Sequence, residues 1–469
     1  MRRLGILGVG LGIFLLGAVA PTQAAASPLT LQQCVAIALR HDTNIASLAS
    51  SYAQAENAYA QQKTQTYPTV VGQLQSYLQK SNNYGGAFAA IGASQLGDVS
   101  QNTASIGTQY NLNLGGQGFA LLAQSRAQLE SAKRNLQRAK AQLASTITAS
   151  FYAVAQKDAL VDLDQGDLAY QTVLVNNAKA REKAGVAAGV DVLQAQVAQT
   201  KSKSTLLAAK ADAQNARDTL SQAIGAAFDT QYAIPKTIAT PALPEATLAN
   251  IIARAHMRPD VLAAKSSLAA ATYARKAFDR HLFPTIALTS QIGNQFSPTG
   301  AVQNQNFLIQ HCAATPGCVS APTVVRGSPG FWQIGATTTF SFPFVNYGAI
   351  HTEKVQDDAA IHSATLAYKS AASKAELDVR QAYRSAQTSL AQVAYAVSAA
   401  QLGAESAHIA QLQYERGVKS LTDVLSAQQT ALSSQIDLVN ARIAYVQAII
   451  NLRVAIGDTG PNAIVADLR

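Results

Sequence analysis

Two kinds of hydrophobic pattern alternate along the chain, and each predicts a different element. Residues 31–67 and 248–283 place apolar side chains at the spacing of one face of a helix. Both stretches end at an aromatic residue followed by proline, Tyr67-Pro68 and Phe283-Pro284. Because proline disfavours helix in the residue before it, each helix is expected to stop there and give way to a strand.

Strict alternation of apolar and polar residues predicts four strands, at about 69–79, 105–114, 285–293 and 332–344. In the second of them, Ile106, Tyr110 and Leu112 fall on one face, whereas Gln109 and Asn111 fall on the other. The polar faces consist of Gln, Asn, Thr and Gly with almost no charge. A soluble sheet with one buried face has this pattern, and so does a membrane barrel with an apolar outer face.

The setting of the strands favours the barrel. They form two hairpins in an otherwise helical chain, with long polar, glycine-rich connections at 80–104 and 294–331. Long connections on one side are typical of the extracellular loops of outer-membrane barrels. Four strands cannot close a barrel, which needs about eight, so the barrel is expected to be shared among subunits.

A turn follows each hairpin, and a very long helix follows each turn, at 117–183 and 349–416. Leucine recurs every seven residues in the first of these helices, at Leu122, Leu129, Leu136 and Leu143, which predicts a coiled-coil seam. At about 1.5 Å per residue this helix reaches roughly 100 Å. The shorter helices at 31–67 and 190–224 together nearly match its length. Stacked end to end beside it, they would complete a tall helical wall.

The same parts occur twice at a constant offset of 232 residues, since 417 − 185 and 423 − 191 give the same value. Lys183-Ala184-Gly185-Val186 with Asp191-Val192-Leu193 returns as Glu415-Arg416-Gly417-Val418 with Asp423-Val424-Leu425. Two further glycine pairs, Gly116 with Gly348 and Gly225 with Gly457, share the offset. So long a period predicts two copies of a whole motif, at 27–240 and 241–469, and not a solenoid.

The N-terminus predicts export. Arg2 and Arg3 precede an apolar run at 4–20 and small residues up to Ala26, which predicts a signal peptide over 1–26. The alternative is a membrane anchor, but the run is short for a span of about 20 residues. After Ala26 no uninterrupted apolar stretch of about 18 residues follows, so no transmembrane helix is expected.

The three cysteines fit an exported protein. Cys312 and Cys318 flank a turn-forming segment and are candidates for a disulfide in an oxidising compartment. Cys34 lies at a helical position and is expected to act as a small buried hydrophobe.

No candidate chemistry stands out. The net charge of +9 comes from basic residues scattered among Ala and Gln, which argues against a nucleic-acid partner. The sequence has no phosphate-binding glycine loop, no metal-spaced His or Cys cluster and no nucleophile elbow. We therefore expect no enzyme activity, cofactor or metal.

In this order, the elements resemble the TolC family of outer-membrane efflux channels over essentially the whole mature chain. The resemblance is carried by the helix-Pro-strand junctions, the glycine turns after the hairpins and the duplicated motifs around Gly185 and Gly417. It implies an α+β membrane protein that forms a homotrimer. Three chains would make a twelve-stranded barrel in outer-membrane lipid, continuous with a long α-helical coiled-coil tunnel across the periplasm. The implied partners are a periplasmic adaptor protein and an inner-membrane pump.

The resemblance also implies roles for residues of the duplicated motifs. It assigns the periplasmic gate to Asp191, Tyr414, Lys419 and Asp423, and the adaptor-docking tip to Gly185, Val186, Leu193, Gly417, Val418 and Leu425. Lys419 replaces the family's arginine and can form an ion pair, although not a bidentate one. An acidic position of the family is Ser426 here, so one ring of three carboxylates is expected to be missing. Alternatively, the two aspartates are helix N-caps and Tyr414 is a packing residue.

The leading hypothesis is a trimeric outer-membrane duct for efflux or for type I protein secretion, which conducts passively with energy supplied by a partner. An alternative from another class is an exported coiled-coil stalk or scaffold, in which the alternating segments are soluble strands. The two matched hairpins favour the duct, because a stalk has no need of them. An exported enzyme lacks any candidate constellation.

Overall fold

The structure is a computed structural model that describes residues 28–82, 96–235, 237–243, 247–296, 330–339 and 347–458. The predicted signal peptide, the candidate pair Cys312 and Cys318, and residues 340–344 of the fourth predicted strand lie outside these ranges.

Helices dominate the described chain, with strands in two places. The elements are α1 (Leu31–His41), α2 (Thr43–Thr64), β1 (Thr69–Asn82), β2 (Leu96–Asn113), α3 (Gln117–Lys183), α4 (Gly189–Ile224), α5 (Leu248–Ala255), α6 (Pro259–His281), β3 (Thr285–Phe296), β4 (Gly330–Thr339), α7 (Tyr347–Glu415) and α8 (Leu421–Ile456). Contacts divide the chain into two compact units. Counting only the described residues, one comprises those of 28–38, Thr146–Ala239 and Ala396–Ile443, and the other comprises those of Leu39–Ser145, Thr240–Tyr395 and 444–458.

The two long helices form as predicted. Helix α3 has 67 residues with the expected bounds, and α7 has 69 residues, beginning two residues earlier than expected and ending one earlier. No helix in the described ranges is both long and apolar enough to cross a membrane.

The helix before each hairpin is broken, so the prediction of continuous helices at 31–67 and 248–283 was wrong. Asp42 interrupts the first with an extended backbone, and its Oδ1 accepts a hydrogen bond from the Ile45 N–H at 2.7 Å. This is an N-cap that starts α2. The second helix restarts at Pro259, which has no N–H to donate and therefore fits only the first turn of a helix.

The break before α6 holds a buried ion network in the second unit. Arg258 donates from Nε and Nη2 to the two carboxylate oxygens of Asp260, at 3.0 and 2.7 Å. Its Nη1 donates to Asp378 Oδ2 on α7 at 3.0 Å. Burial by itself raises the pKa of Asp260, but the hydrogen bonds and charge of Arg258 outweigh it and leave that pKa below its usual value.

The four strands make one antiparallel sheet in the order β1-β2-β3-β4. The register sets Gly72 and Ile292 on either side of Ile106, so the apolar positions of β1, β2 and β3 share a face. Val70, Leu74, Ile106 and Ile292 on this face are 61% to 82% exposed. The opposite face is polar: Gln291 Nε2 donates to Ser105 Oγ at 2.6 Å.

Three strands are longer than predicted. Backbone pairing extends β1 to Asn82, starts β2 at Leu96 and extends β3 to Phe296. The added residues include Lys80, Asp98 and Asn294, which hide the alternation. Ladder hydrogen bonds do not need apolar side chains, so pairing continues where the pattern fades. The connections at 80–104 and 294–331 are correspondingly shorter than expected.

Candidate functional site at the helical tips

The duplicated motifs form two tight helical turns within the first unit, here called the first tip (residues 181–193) and the second tip (residues 413–425). At the second tip Gly417 has φ +75°, and its N–H donates to the Tyr414 carbonyl at 2.9 Å. The next N–H, of Val418, donates to the Gln413 carbonyl at 2.8 Å. This pair of bonds is a Schellman motif, which satisfies carbonyls at a helix end.

The first tip repeats the motif around Gly185, which has φ +71°. Gly185 N–H donates to the Glu182 carbonyl at 2.9 Å, and Val186 N–H donates to the Arg181 carbonyl at 3.0 Å. A β-carbon at either glycine would meet nothing within 4 Å. Glycine is therefore favoured by the left-handed backbone and not by crowding. Both glycines fix the turns on which the other tip residues are placed.

The second tip continues into α8 through a capping box. Ser420 Oγ accepts from the Asp423 N–H at 3.3 Å, and the Asp423 Oδ2 accepts from the Ser420 N–H at 3.1 Å and its hydroxyl at 2.7 Å. The Ser420 hydrogen bonds, with the Lys419 charge as a smaller cause, hold the pKa of Asp423 below its usual value. Asp423 is thus the third residue of its helix and binds the true N-cap, Ser420.

The first tip lacks this box because Ala188 stands in the N-cap position, where it makes no side-chain cap bond. Asp191 is again the third helical residue, so neither aspartate stands at the N-cap position of the alternative, although the Asp423 carboxylate does accept a backbone N–H as that alternative expected. The Asp191 carboxylate is half-buried and makes no hydrogen bond or salt bridge within the described ranges. Its charge acts on Tyr414. Two aspartates at equivalent positions therefore have different surroundings.

Tyr414 is 4% exposed and belongs to the apolar core of the tips. This tip core consists of Leu174, Val175, Ala178, Val192, Ala195, Tyr414, Leu421 and Val424, with Tyr170 and Leu425 packed against it. Burial raises the pKa of Tyr414, the Arg181 charge lowers it, and the Asp191 charge raises it further, with a net rise. The packing role that the sequence left open for Tyr414 is present in the structure.

Arg181 lies against the same tyrosine. Its guanidinium carbon is 4.6 Å from the centroid of the Tyr414 ring, and its Nη1 donates to the Glu415 carbonyl at 3.0 Å. Arg181 Nε and the Tyr414 hydroxyl are buried and have no hydrogen-bond partner in the described part of the chain. The same holds for the Tyr170 hydroxyl and Gln171 Oε1.

The predicted docking residues differ in exposure. Val186, Leu193 and Val418 are 64%, 63% and 73% exposed, whereas Leu425 packs against the tip core. Lys419 is exposed and forms no salt bridge with any described residue. Each tip therefore has exposed apolar side chains, and Leu425 contributes to them less than its equivalent, Leu193.

Sequence reasoning missed Ser420 and Arg181. The spacing Ser420-x-x-Asp423 is a capping-box signal and was available to find the first. Arg181 stands in the last turn of α3, where a cation is favoured in any helix. Nothing in the sequence connects it to a carbonyl 234 residues away.

No other chemistry competes with the tips among the residues that the structure describes. They include no group of His, Cys, Asp or Glu arranged to hold a metal ion. Cys34 is a buried free thiol, as expected, and burial raises its pKa to about 11.

The sequence matches the outer membrane efflux protein family over residues 35–226 and 253–458. The chain belongs to this family. Each matched segment contains one of the two tips, and the resemblance to TolC-like outer-membrane efflux channels is confirmed. The family places the protein in the outer membrane.

Relatives of this outer membrane efflux protein agree in sequence and in fold. The outer membrane efflux protein BepC of Brucella suis biovar 1 (strain 1330) is 26% identical over 347 residues, which is 73% of this chain and 69% of BepC. The crystal structure of VceC from Vibrio cholerae matches with a TM-score of 0.71 at 18% identity, covering 91% of this chain and 96% of VceC. The open state of the MtrE channel from Neisseria gonorrhoeae matches with a TM-score of 0.69 at 18% identity, covering 91% and 88%.

Proposed function

We propose that this outer membrane efflux protein is the channel of a tripartite efflux pump and conducts substrates passively from a periplasmic entrance to the exterior. The observation that carries the proposal is the sheet. Its strands β1, β2 and β3 present one face of exposed aliphatic side chains and one polar face, which suits lipid outside and water inside. Four strands do not close a barrel, whereas three copies supply twelve.

The helices support the same assembly. Two helices of 67 and 69 residues per chain, each with shorter partners, supply long walls for a tunnel below the barrel. We take the two halves as structural repeats that contribute equivalent walls. The family's description as an efflux protein favours this function over a type I secretion duct, and membership disfavours a coiled-coil stalk.

We assign the closed gate to Asp191, Tyr414, Lys419 and Asp423, with unequal roles. Asp423 is held by its own helix through Ser420, so its contribution to the gate is mainly the shape of the second tip. Asp191 and Lys419 have no salt bridge within the described chain, which leaves them to pair between neighbouring subunits. Such a pair would be lysine-based and therefore not bidentate.

The exposed apolar residues of the tips, Val186, Leu193 and Val418, are our candidates for the adaptor-docking surface. Gly185 and Gly417 set the turns that present them. Leu425 supports this surface from the tip core. The energy for transport would come from an inner-membrane pump joined through the adaptor.

Single-channel conductance of the purified protein in a planar bilayer, with cross-linking in detergent, tests the proposal. We expect a cross-linked trimer with low conductance, and higher conductance for Asp191→Ala. Asp229→Ala is the matched control, because Asp229 is an exposed carboxylate outside the tips. A monomer that needs no detergent and does not conduct would refute the channel and favour the coiled-coil stalk.

A further inference from the structure

We infer that Arg181 is a positioning residue of the gate, which holds Tyr414 in the tip core by lying over its ring and by donating to the Glu415 carbonyl. The inference rests on the proposed function, since it concerns the regulation of the same entrance. It adds a residue of the first tip that controls a residue of the second.

Arg181 makes two separate contacts with the end of α7. The distance of 4.6 Å from guanidinium carbon to ring centroid is within the range of about 6 Å for a cation–π interaction. The Glu415 carbonyl, 3.0 Å from Nη1, is the last of α7 and has no partner within its own helix. The negative end of the helix dipole also favours a cation there. Arg181 therefore ties the end of α3 to the end of α7.

A change at Arg181 would reach the gate through the tip core. Tyr414 packs in the cluster that contains Val192 from the first turn of α4, and Leu421 and Val424 from the start of α8. Those two turns also carry Asp191 and Asp423. If the ring is released, the packing that holds the two turns against each other loosens, and the two carboxylates can move relative to each other.

The duplicated motifs offer two equivalent places for a contact between arginine and tyrosine, and the residues allow it in only one of them. Positions 232 apart pair Arg181 with Gln413 and Glu182 with Tyr414, so the arginine is on the first tip and the tyrosine on the second. The exchanged combination, Gln413 with Glu182, offers neither a cation nor a ring. The fold therefore has one such clamp per chain, and a trimer would have three.

The test is the single-channel conductance of full-length trimers that carry Arg181→Ala. Losing a cation–π contact and a charge-assisted hydrogen bond should raise the open fraction about tenfold. Arg181→Lys keeps a cation and a donor, so we expect it to restore most of the closed state. Lys183→Ala is the matched control, because it removes an exposed cation from the same turn and should leave conductance at the wild-type level. The double variant Arg181→Ala with Tyr414→Leu should raise conductance by less than the two single effects combined, since the ring contact is removed by both changes and is lost only once.

Wild-type conductance in Arg181→Ala, together with raised conductance in Asp191→Ala, would overturn the inference and leave the proposed gate standing. A wild type that neither forms trimers nor conducts would overturn both. Trimer cross-linking and far-UV circular dichroism check assembly. If Arg181→Ala does not assemble, Arg181→Gln takes its place, because it keeps a donor without the charge; conductance equal to that of Arg181→Lys would then count against the inference.

Discussion

Arg258→Ala removes the cation that neutralises two carboxylates inside the second unit. The Arg258 side chain is 10% exposed and that of Asp260 is 13% exposed, so the pair is largely shielded from water. The Asp378 side chain is 33% exposed, so water can solvate its charge better than that of Asp260 when Arg258 is removed. Removing one partner of a buried ion pair costs about 3–5 kcal/mol, because the other charge stays buried without compensation. We therefore expect Arg258→Ala to lower the free energy of unfolding of the second unit by about 3–5 kcal/mol.

Arg254→Ala is the matched control. Arg254 also pairs with an aspartate, Asp458, through a hydrogen bond of 2.9 Å, but its side chain is 60% exposed. Solvent screening reduces the value of such a pair to about 0–1 kcal/mol. The two variants remove the same side chain, only four residues apart (258 − 254), and differ chiefly in burial.

Thermal unfolding of the detergent-solubilised protein, followed by the helical far-UV circular dichroism signal, measures the difference. The midpoint should fall clearly for Arg258→Ala and little for Arg254→Ala. Equal shifts in the two variants would refute the argument from burial. A larger shift for Arg254→Ala would place the important ion pair at Asp458 instead.

The same network has a pH dependence with a definite sign. The pKa of Asp260 in the folded protein lies below its usual value of about 3.9, so its pairing stabilises the fold fully above about pH 4. This contribution is lost as pH falls through the folded pKa. The midpoint gap between wild type and Asp260→Asn should therefore stay constant above about pH 5 and narrow below pH 4. A gap that widens on acidification would contradict the assigned direction.

Hydrogen exchange measured by mass spectrometry would test three local features. Gly417→Ala should speed exchange at the second tip, because an L side chain at positive φ costs about 1–2 kcal/mol; unchanged exchange would mean that the turn relaxes. Ser420→Ala should lower the free energy of local opening at the start of α8 by about 1 kcal/mol, because the capping box is lost. Ala188→Ser should raise that free energy at the start of α4 by a similar amount, because it supplies a cap. A change of the same sign in both variants would refute the assigned caps. Asp42→Ala should destabilise the start of α2 by about 1 kcal/mol, and slower exchange there would show that α1 and α2 had fused.

The long elements were predictable because their signals are local and uninterrupted. Helix α3 has the predicted bounds, since its apolar spacing contains no proline and it stops before a glycine that the backbone needs at positive φ. The break at Asp42 was not predicted, because an aspartate on the polar face of a helix looks the same whether or not it caps the next one. Only the extended backbone at that residue distinguishes the two cases.

The tips show a different case, in which two residues of the same motif have different hydrogen-bond partners. Asp191 and Asp423 stand in the same motif, yet one hydroxyl, on Ser420, engages the second carboxylate, while Ala188 leaves the first without a cap bond. Their difference depends on a neighbour three residues away, and it was predictable once the capping spacing was considered.

The contact between Arg181 and Tyr414 was not predictable in that way, because it joins positions from opposite halves of the chain. Positions that keep their identity at an offset of 232, such as Gly185 and Gly417, form equivalent turns. Positions whose residue differs between the two copies, such as Glu182 and Tyr414, cannot make equivalent contacts in both tips. Substituting a shared glycine should therefore disturb a turn and everything it presents, whereas substituting Arg181 or Tyr414 should leave both turns intact and change how firmly they are held together. That separation is the physical reason to look at the unlike positions for contacts that hold the gate together beside its shared aspartates, and at the shared glycines for the stability of the turns.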